Sequence, residues 1–292
     1  MVANAASLPS SFAYVLQAEA LAKTQSKAIE LLASCDRDWI VIDVFYSAGA
    51  PWSQHDLETL RKSKPSRKIL AYVSIGEAED YRSYWKASWS SKDKPQWLGA
   101  ENPNWKGNFP VKYWHREWQS IILATMDMVI EQGFDGVYLD IVDGFQNFEF
   151  QNNEWVSDLV NPETQQSFRR DMVDWVACIA KHLRLKKPQA LVIPQNGSEL
   201  LVHDDFCKVI SGIGIEDLFT NGRQIQSAEH QRDVLGFLNN GQLKDKPILL
   251  IEYPKAKRLQ TLVIERADQY QMTWLITDRA LKTLGKSGDR TE

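Results

Sequence analysis

The chain has 292 residues, 43% of them hydrophobic, and a formal net charge of −4, which fits one large domain or two small ones. That balance leaves no basic footprint for nucleic acid, and no run is long and apolar enough to span a membrane. Residues 1–11 lack the basic and apolar regions of a signal peptide, so either the protein stays inside the cell or an export signal has been removed.

Eight short runs rich in Val, Ile and aromatic residues mark predicted strands at 12–16, 39–45, 69–74, 136–139, 190–194, 212–215, 248–251 and 274–277. Between them lie stripes at helical spacing. Trp114, Trp118, Ile121, Thr125 and Val129 form one, stopped by Gly133. Phe168, Met172, Val176, Ile179 and Leu183 form another. Its start is predicted at Asn161-Pro162-Glu163, a cap residue followed by proline at the first helical position. A third stripe is Leu262, Glu265, Ala267 and Tyr270. Cys35, Cys178 and Cys207 are far apart, and each sits in an apolar helical context that predicts a buried free thiol.

Eight strands alternating with helices predict a single (β/α)8 barrel, its core spanning about residues 12–281 with short polar tails at both ends. The competing doubly wound sheet carries a glycine-rich loop after its first strand. Here that place holds Leu16-Gln17-Ala18-Glu19.

In a barrel, the residues that follow the strands converge on one rim, where active sites sit. The series is Gln17; Asp43; Glu77; Asp140 and Asp143; Gln195, Asn196 and Glu199; Glu216 and Asp217; Glu252 and Tyr253; Asp278. Each alone reads as a cap or turn residue. Together they form a ring of carboxylates with no lysine or arginine among them, and such crowding raises pKa values. Acidic rims bind divalent metals, bind cationic or hydroxyl-rich ligands, or cleave glycosides. The histidines, His55, His115, His182, His203 and His230, fall away from the strand ends, unlike the usual ligands of metal barrels. No metal or cofactor is expected, although a magnesium site made of carboxylates alone stays open. There is no Gly-x-Ser-x-Gly elbow.

The loop after the third strand carries Trp85, Trp89, Trp97, Trp105, Trp114 and Trp118, broken by Pro95, Gly99, Pro103, Gly107 and Pro110. Long loops in compact domains are usually functional. Aromatic faces beside acids suit a pyranose ring, whose C–H face stacks while its hydroxyls bond carboxylates. The plainer reading is a local core that holds the loop. Trp85 or Trp105 is the expected sugar platform.

Several segments together resemble a known family. They are 71–79 (AYVSIGEAE), Tyr81-Arg82, Tyr84-Trp85, Trp97-Leu98, Trp105-x-Gly107-Asn108, Val111-x-Tyr113-Trp114 and 133–140 (GFDGVYLD). The chain is similar across roughly 12–281 to glycoside hydrolase family 114, (β/α)8 proteins related to endo-α-1,4-polygalactosaminidases. The resemblance implies a catalytic pair at Asp140, ending the fourth strand, and Glu216, ending the sixth. It also implies that a full-length form can be secreted. Leu139 and Ile141, which flank Asp140, resemble the bacterial branch of the family, so the chemistry transfers better than the substrate.

Glycoside hydrolysis needs one carboxylate at the anomeric carbon and one protonated carboxyl at the leaving oxygen. The expected function is therefore hydrolysis of an α-linked, galactosamine-containing polysaccharide with retention, by Asp140 as nucleophile and Glu216 as acid/base. Substrate contacts are expected from Asp43, Glu77, Trp85, Trp105, Tyr138, Asp143, Asn196, Glu199, Glu252 and Asp278. The partner is an oligo- or polysaccharide, with neither nucleic acid nor membrane. The alternatives are a non-catalytic carbohydrate-binding barrel and a magnesium-dependent hydrolase using the same acids.

Overall fold

In the computed structural model, which describes residues 8–90, 93–239, 241–243 and 245–288, all eight predicted runs are strands. They are β1 Phe12–Val15, β2 Trp39–Asp43, β3 Lys68–Ser74, β4 Gly136–Asp140, β5 Leu191–Pro194, β6 Ile213–Glu216, β7 Ile248–Glu252 and β8 Thr273–Ile276. The principal helices between them are α1 Gln25–Ser34, α2 Gln54–Ser63, α3 Arg116–Gln132, α4 Phe168–Lys186, α5 Asp204–Val209, α6 Ala228–Leu238 and α7 Lys257–Gln269.

β1 to β5 pair in parallel in chain order, as do β6 to β8. A parallel bridge between Gln195 and Gly214 joins the two sheets. The other seam, between β8 and β1, is filled by a strand that the sequence reading placed in a polar tail. β9, Lys286–Ser287, runs antiparallel to β8. The Phe12 N–H donates to the Ser287 hydroxyl, and Arg37 donates to the Ser287 carbonyl. Among the described residues, β8 is followed by β9 rather than by an eighth helix. The result is one α/β domain of TIM-barrel type.

The strands are buried on both faces, as in all-parallel sheets covered by helices. Alternate residues turn inward. Phe12, Tyr14, Trp39, Val41, Leu70, Tyr72, Tyr138, Ile193, Leu249, Ile251 and Leu275 fill the barrel, while Ile40, Ile42, Val137, Leu139 and Leu250 pack outward against the helices. Three tyrosines crowd the top of the inner layer. Tyr14 lies 5.1 Å from Tyr138 and 6.3 Å from Tyr72, between ring centroids.

Several boundaries differ from expectation. α4 begins at Phe168, capped by Ser167, whose hydroxyl accepts from the Arg170 N–H. Asn161 instead builds a preceding turn. Its amide donates to Asp171, and its side-chain oxygen accepts from the Glu163 N–H. α3 begins after His115, which leaves Trp114 outside the helix and Trp118 fully buried on it. Gly133 ends it with φ 93°, a left-handed cap that glycine takes without strain. On α7 the buried face is Leu259, Val263 and Ala267, so the stripe expected through Leu262 and Glu265 was out of phase. Cys207 is buried and Cys35 half-buried, but Cys178 is exposed, facing solvent from α4 while Val176 and Ile179 face in.

Candidate active site

A cleft of about 1040 Å³ opens at the C-terminal ends of the strands. Its walls include Gln17, Asp43, Tyr72, Glu77, Trp105, Asp140, Asp143, Gln195, Asn196, Glu216 and Tyr253. Asp43, Glu77, Asp140 and Glu216 therefore share one cavity.

Asp140 closes β4 and has both oxygens engaged. Oδ2 accepts from the Tyr72 hydroxyl at 2.6 Å, and Oδ1 from the Ile141 N–H at 2.8 Å. Ile141 holds φ 55°, a left-handed conformation that costs a β-branched residue energy. The turn is packed in place by Gly76, where a Cβ would lie 2.2 Å from the Ile141 carbonyl oxygen. Asn196, just past β5, and Asp217, just past β6, also have positive φ. Three neighbouring strands thus break into sharp turns at the same level.

Glu216 closes β6. Tyr253 donates to its Oε2 at 2.6 Å, and its own N–H donates to the Asn196 side-chain oxygen. Gly214, two residues earlier, leaves room for a neighbour: a Cβ there would lie 1.7 Å from the Tyr138 hydroxyl. Among the described residues, that hydroxyl is buried without a hydrogen-bond partner. Tyr138, expected as a substrate contact, therefore lies beneath the cleft floor rather than on it.

The model of the family described as glycoside-hydrolase family GH114 matches residues 2–291. The chain belongs to glycoside hydrolase family 114. An uncharacterized protein of Deinococcus radiodurans is 35% identical, the match covering 84% of this chain and 74% of that protein. Another, of Methanocaldococcus jannaschii, is 37% identical over 78% of this chain and 64% of its own length. Among solved structures, the glycoside hydrolase domain of PelA from Pseudomonas aeruginosa superposes with TM-score 0.70 at 19% identity, over 96% of this chain and 98% of that one. Ega3 of Aspergillus fumigatus, solved in complex with galactosamine, gives TM-score 0.65 at 18% identity, over 95% and 93%. These two likenesses concern the fold. The chain is thus a family-114 glycoside hydrolase, and its substrate class is carbohydrate.

In this family-114 barrel the carboxylate ring is less bare than its sequence implied. Arg82 bridges Asp43 and Glu79 at 2.7 and 2.6 Å. Arg279 holds Asp217 through two hydrogen bonds and lies 4.2 Å over the Tyr253 ring. These two cations come from loops rather than strand ends. Glu77 accepts from the amides of Asn102 and Asn108, which offset part of the upward push from burial. Among the described residues, Asp140, Asp143 and Glu216 at the centre have no direct cation partner.

Their ionisation is shifted accordingly. Burial pushes Asp140 up to about 7; the Tyr72 hydroxyl draws it back, and Glu216 adds repulsion. Burial also raises Glu216, against which Tyr253 and Arg279 act. Asp143 is pushed up to about 8 by burial, then by Asp140, Glu199 and Glu216. Among the described residues, no other side chain donates to it. A carboxyl raised above its unfolded value near 4 stabilises the fold while protonated, and that contribution disappears as pH rises through the folded value. Asp143→Asn is therefore expected to melt above the parent protein at about pH 9 and to match it near pH 4. A difference in melting temperature that is constant with pH would show that Asp143 is not strained by its charge.

Besides Tyr138, four expected contacts lie outside the cleft lining. Glu252 is fully buried and accepts from the Phe219 N–H, the Thr220 N–H and the Thr220 hydroxyl, holding the loop after β6. Asp278 accepts from the N–H groups of Lys282 and Thr283 and from the Thr283 hydroxyl, so it shapes its own turn. Glu199 accepts from Gln146. Trp85 packs 4.7 Å from Phe109 and 5.4 Å from Trp89. With Trp89, Trp97 and Trp118 it belongs to an aromatic chain that anchors the loop. Trp105 alone of the six lines the cleft, 58% exposed. Among the described residues, no group of three or more His, Cys, Asp or Glu is placed to hold a metal ion, and no helix is long and apolar enough to cross a membrane.

Proposed function

We propose that the protein hydrolyses an α-linked, galactosamine-containing polysaccharide with retention of configuration. Asp140 is the nucleophile and Glu216 the acid/base. The carrying observation is that both close their strands in one cleft, each held by a tyrosine hydroxyl at 2.6 Å and, among the described residues, with no cation bonded to either. Glu216 in its protonated form gives its proton to the glycosidic oxygen as the C–O bond breaks. An Asp140 oxygen forms the bond to the anomeric carbon. Water then attacks that carbon, Asp140 leaves, and Glu216 takes the water's proton.

The donors on Asp140 favour its ionised form, as a nucleophile requires, and oppose the burial that pushes it up to about 7. Burial shifts Glu216 toward its protonated form, the direction that a general acid requires. Galactosamine is supported by family membership, by the complex reported for Ega3 and by the uncompensated acids, which attract an ammonium group. Trp105 offers an aromatic face, and Glu77, Asp143 and Asn196 offer polar contacts, with Asp43 beside them through Arg82.

The test is a screen of polymers of galactosamine, galactose and their acetylated forms, with product masses and the anomeric configuration of fresh product by NMR. Cleavage of an α-galactosaminide to an α-anomer is expected. An inverted product would remove the nucleophile role of Asp140. Tight binding without cleavage of any polymer would favour a non-catalytic barrel.

A further inference from the structure

Beside the cleft lies a second groove of about 550 Å³, between the loop after β3 and the loop after β4. Its size falls within the usual range for small-molecule sites. One wall is formed by Gln96, Asn102 and Asn104, the other by Asn147 and Phe148. The two hollows share a partition only one turn of chain thick. Asn102 lines the groove and donates to Glu77, which lines the cleft. Asn104 lines the groove, and the next residue, Trp105, lines the cleft.

The partition is braced from within. The Asn102 N–H donates to the Asn108 carbonyl, the Asn108 N–H to the Trp105 carbonyl and the Asn104 N–H to the Asn102 side chain. The Gly107 N–H engages Glu101, the carboxylate on the groove wall. Lys112, the groove's cation, is paired with Glu163. What remains for a ligand is a set of amides. Among the described residues, the side chains of Asn104 and Asn147 make no hydrogen bond within the protein. An amide-lined groove with its charges already paired suits neutral hydroxyl or acetamido groups, better than an ion or an apolar helix.

We propose that this groove binds distal units of the same glycan whose reacting unit occupies the cleft, the chain crossing the partition over Trp105. The inference rests on reading the cleft as a glycan-hydrolysing site. It makes the enzyme sensitive to substrate length.

The probes are α-1,4-linked galactosamine oligomers, free and N-acetylated, from disaccharide to decasaccharide. Both kcat/KM and calorimetric affinity are measured for the parent protein and for Asn104→Ala with Asn147→Ala. Both side chains are exposed, and a melting curve checks the fold. The parent is expected to favour long oligomers. The double variant is expected to lose roughly three- to tenfold on the longest, about the worth of one or two hydrogen bonds, and nothing on the shortest. Equal loss at every length, no loss, or no length preference in the parent overturns the groove. Failure to bind any oligomer overturns it as well. If the parent binds long oligomers better without cleaving them, and the double variant erases that preference, the groove stands and the hydrolytic reading falls.

Discussion

Asp140→Asn is expected to remove turnover on every substrate, whereas Glu216→Gln is expected to keep measurable turnover on glycosides with good leaving groups. The asymmetry follows from the proposed roles. A missing nucleophile blocks the glycosyl intermediate whatever departs, while a missing acid matters only as far as the departing oxygen needs a proton. General acid catalysis contributes about 10²–10⁴-fold, so Glu216→Gln should fall by that range on the natural polymer and by far less on an activated glycoside. The fold should survive Asp140→Asn. The Asn oxygen can keep the Ile141 N–H, and the Tyr72 hydroxyl can turn to accept from the new amide. Steady-state kinetics on both substrate types checks this. Parent-like turnover by Asp140→Asn would make Asp140 structural, and Asp143 and Glu77, which line the same cleft, would be tested next. An unaffected Glu216→Gln would move the acid elsewhere on that wall, and not to Glu252, which has no access to it.

Glu252→Ala is expected to be the most destabilising of the single changes considered. Glu252 is fully buried and is the acceptor for the Phe219 N–H, the Thr220 N–H and the Thr220 hydroxyl. Alanine leaves these donors buried and unsatisfied, at about 1–3 kcal/mol each, with partial relief as the loop relaxes. A net loss of about 3–5 kcal/mol is expected, a fall of about 5–15 °C in melting temperature. Glu252→Gln keeps an acceptor and should lose less. Thermal and denaturant unfolding of the two variants gives the comparison. A loss within about 0.5 kcal/mol for Glu252→Ala, the usual scale of surface changes, would mean that the loop after β6 is held by other contacts.

The barrel was legible because its strands are apolar runs of the right number and spacing, each ending in a polar residue. The separation of cleft residues from buried ones was legible in principle through the alternation of a strand. Val41, Tyr138 and Gly214 point inward, so Asp43, Asp140 and Glu216, each two residues on, point inward as well. On β7 the inward residues are Leu249, Ile251 and Tyr253, which turns Glu252 away from the cleft. Leu275 on β8 likewise sets Thr277 inward and Asp278 out. Counting acids at strand ends ignored this parity, and two of them were misplaced. The charge balance was not legible. Arg82 meets Asp43 across 39 positions and Arg279 meets Asp217 across 62, so only the folded chain brings them together. Nor does aromatic density tell an exposed tryptophan from a packed one, since Trp85 and Trp105 lie in the same loop with opposite fates.

The strand that fills the seam between β8 and β1 bears on how the protein is made. A nascent chain that has emerged as far as residue 281 possesses all eight parallel strands, and the Leu16 and Gln17 N–H groups can reach the Leu281 carbonyl, but the seam is incomplete. The Phe12 N–H still lacks the Ser287 hydroxyl, and Arg37 still lacks the carbonyls of Gly285 and Ser287. Until those residues leave the ribosome, the seam between β1 and β8 is held at fewer points, and an incompletely paired edge is a place where other chains can pair. Synthesis and closure are thus coupled: the seam beside the first strand is completed only when residues 285–287 arrive.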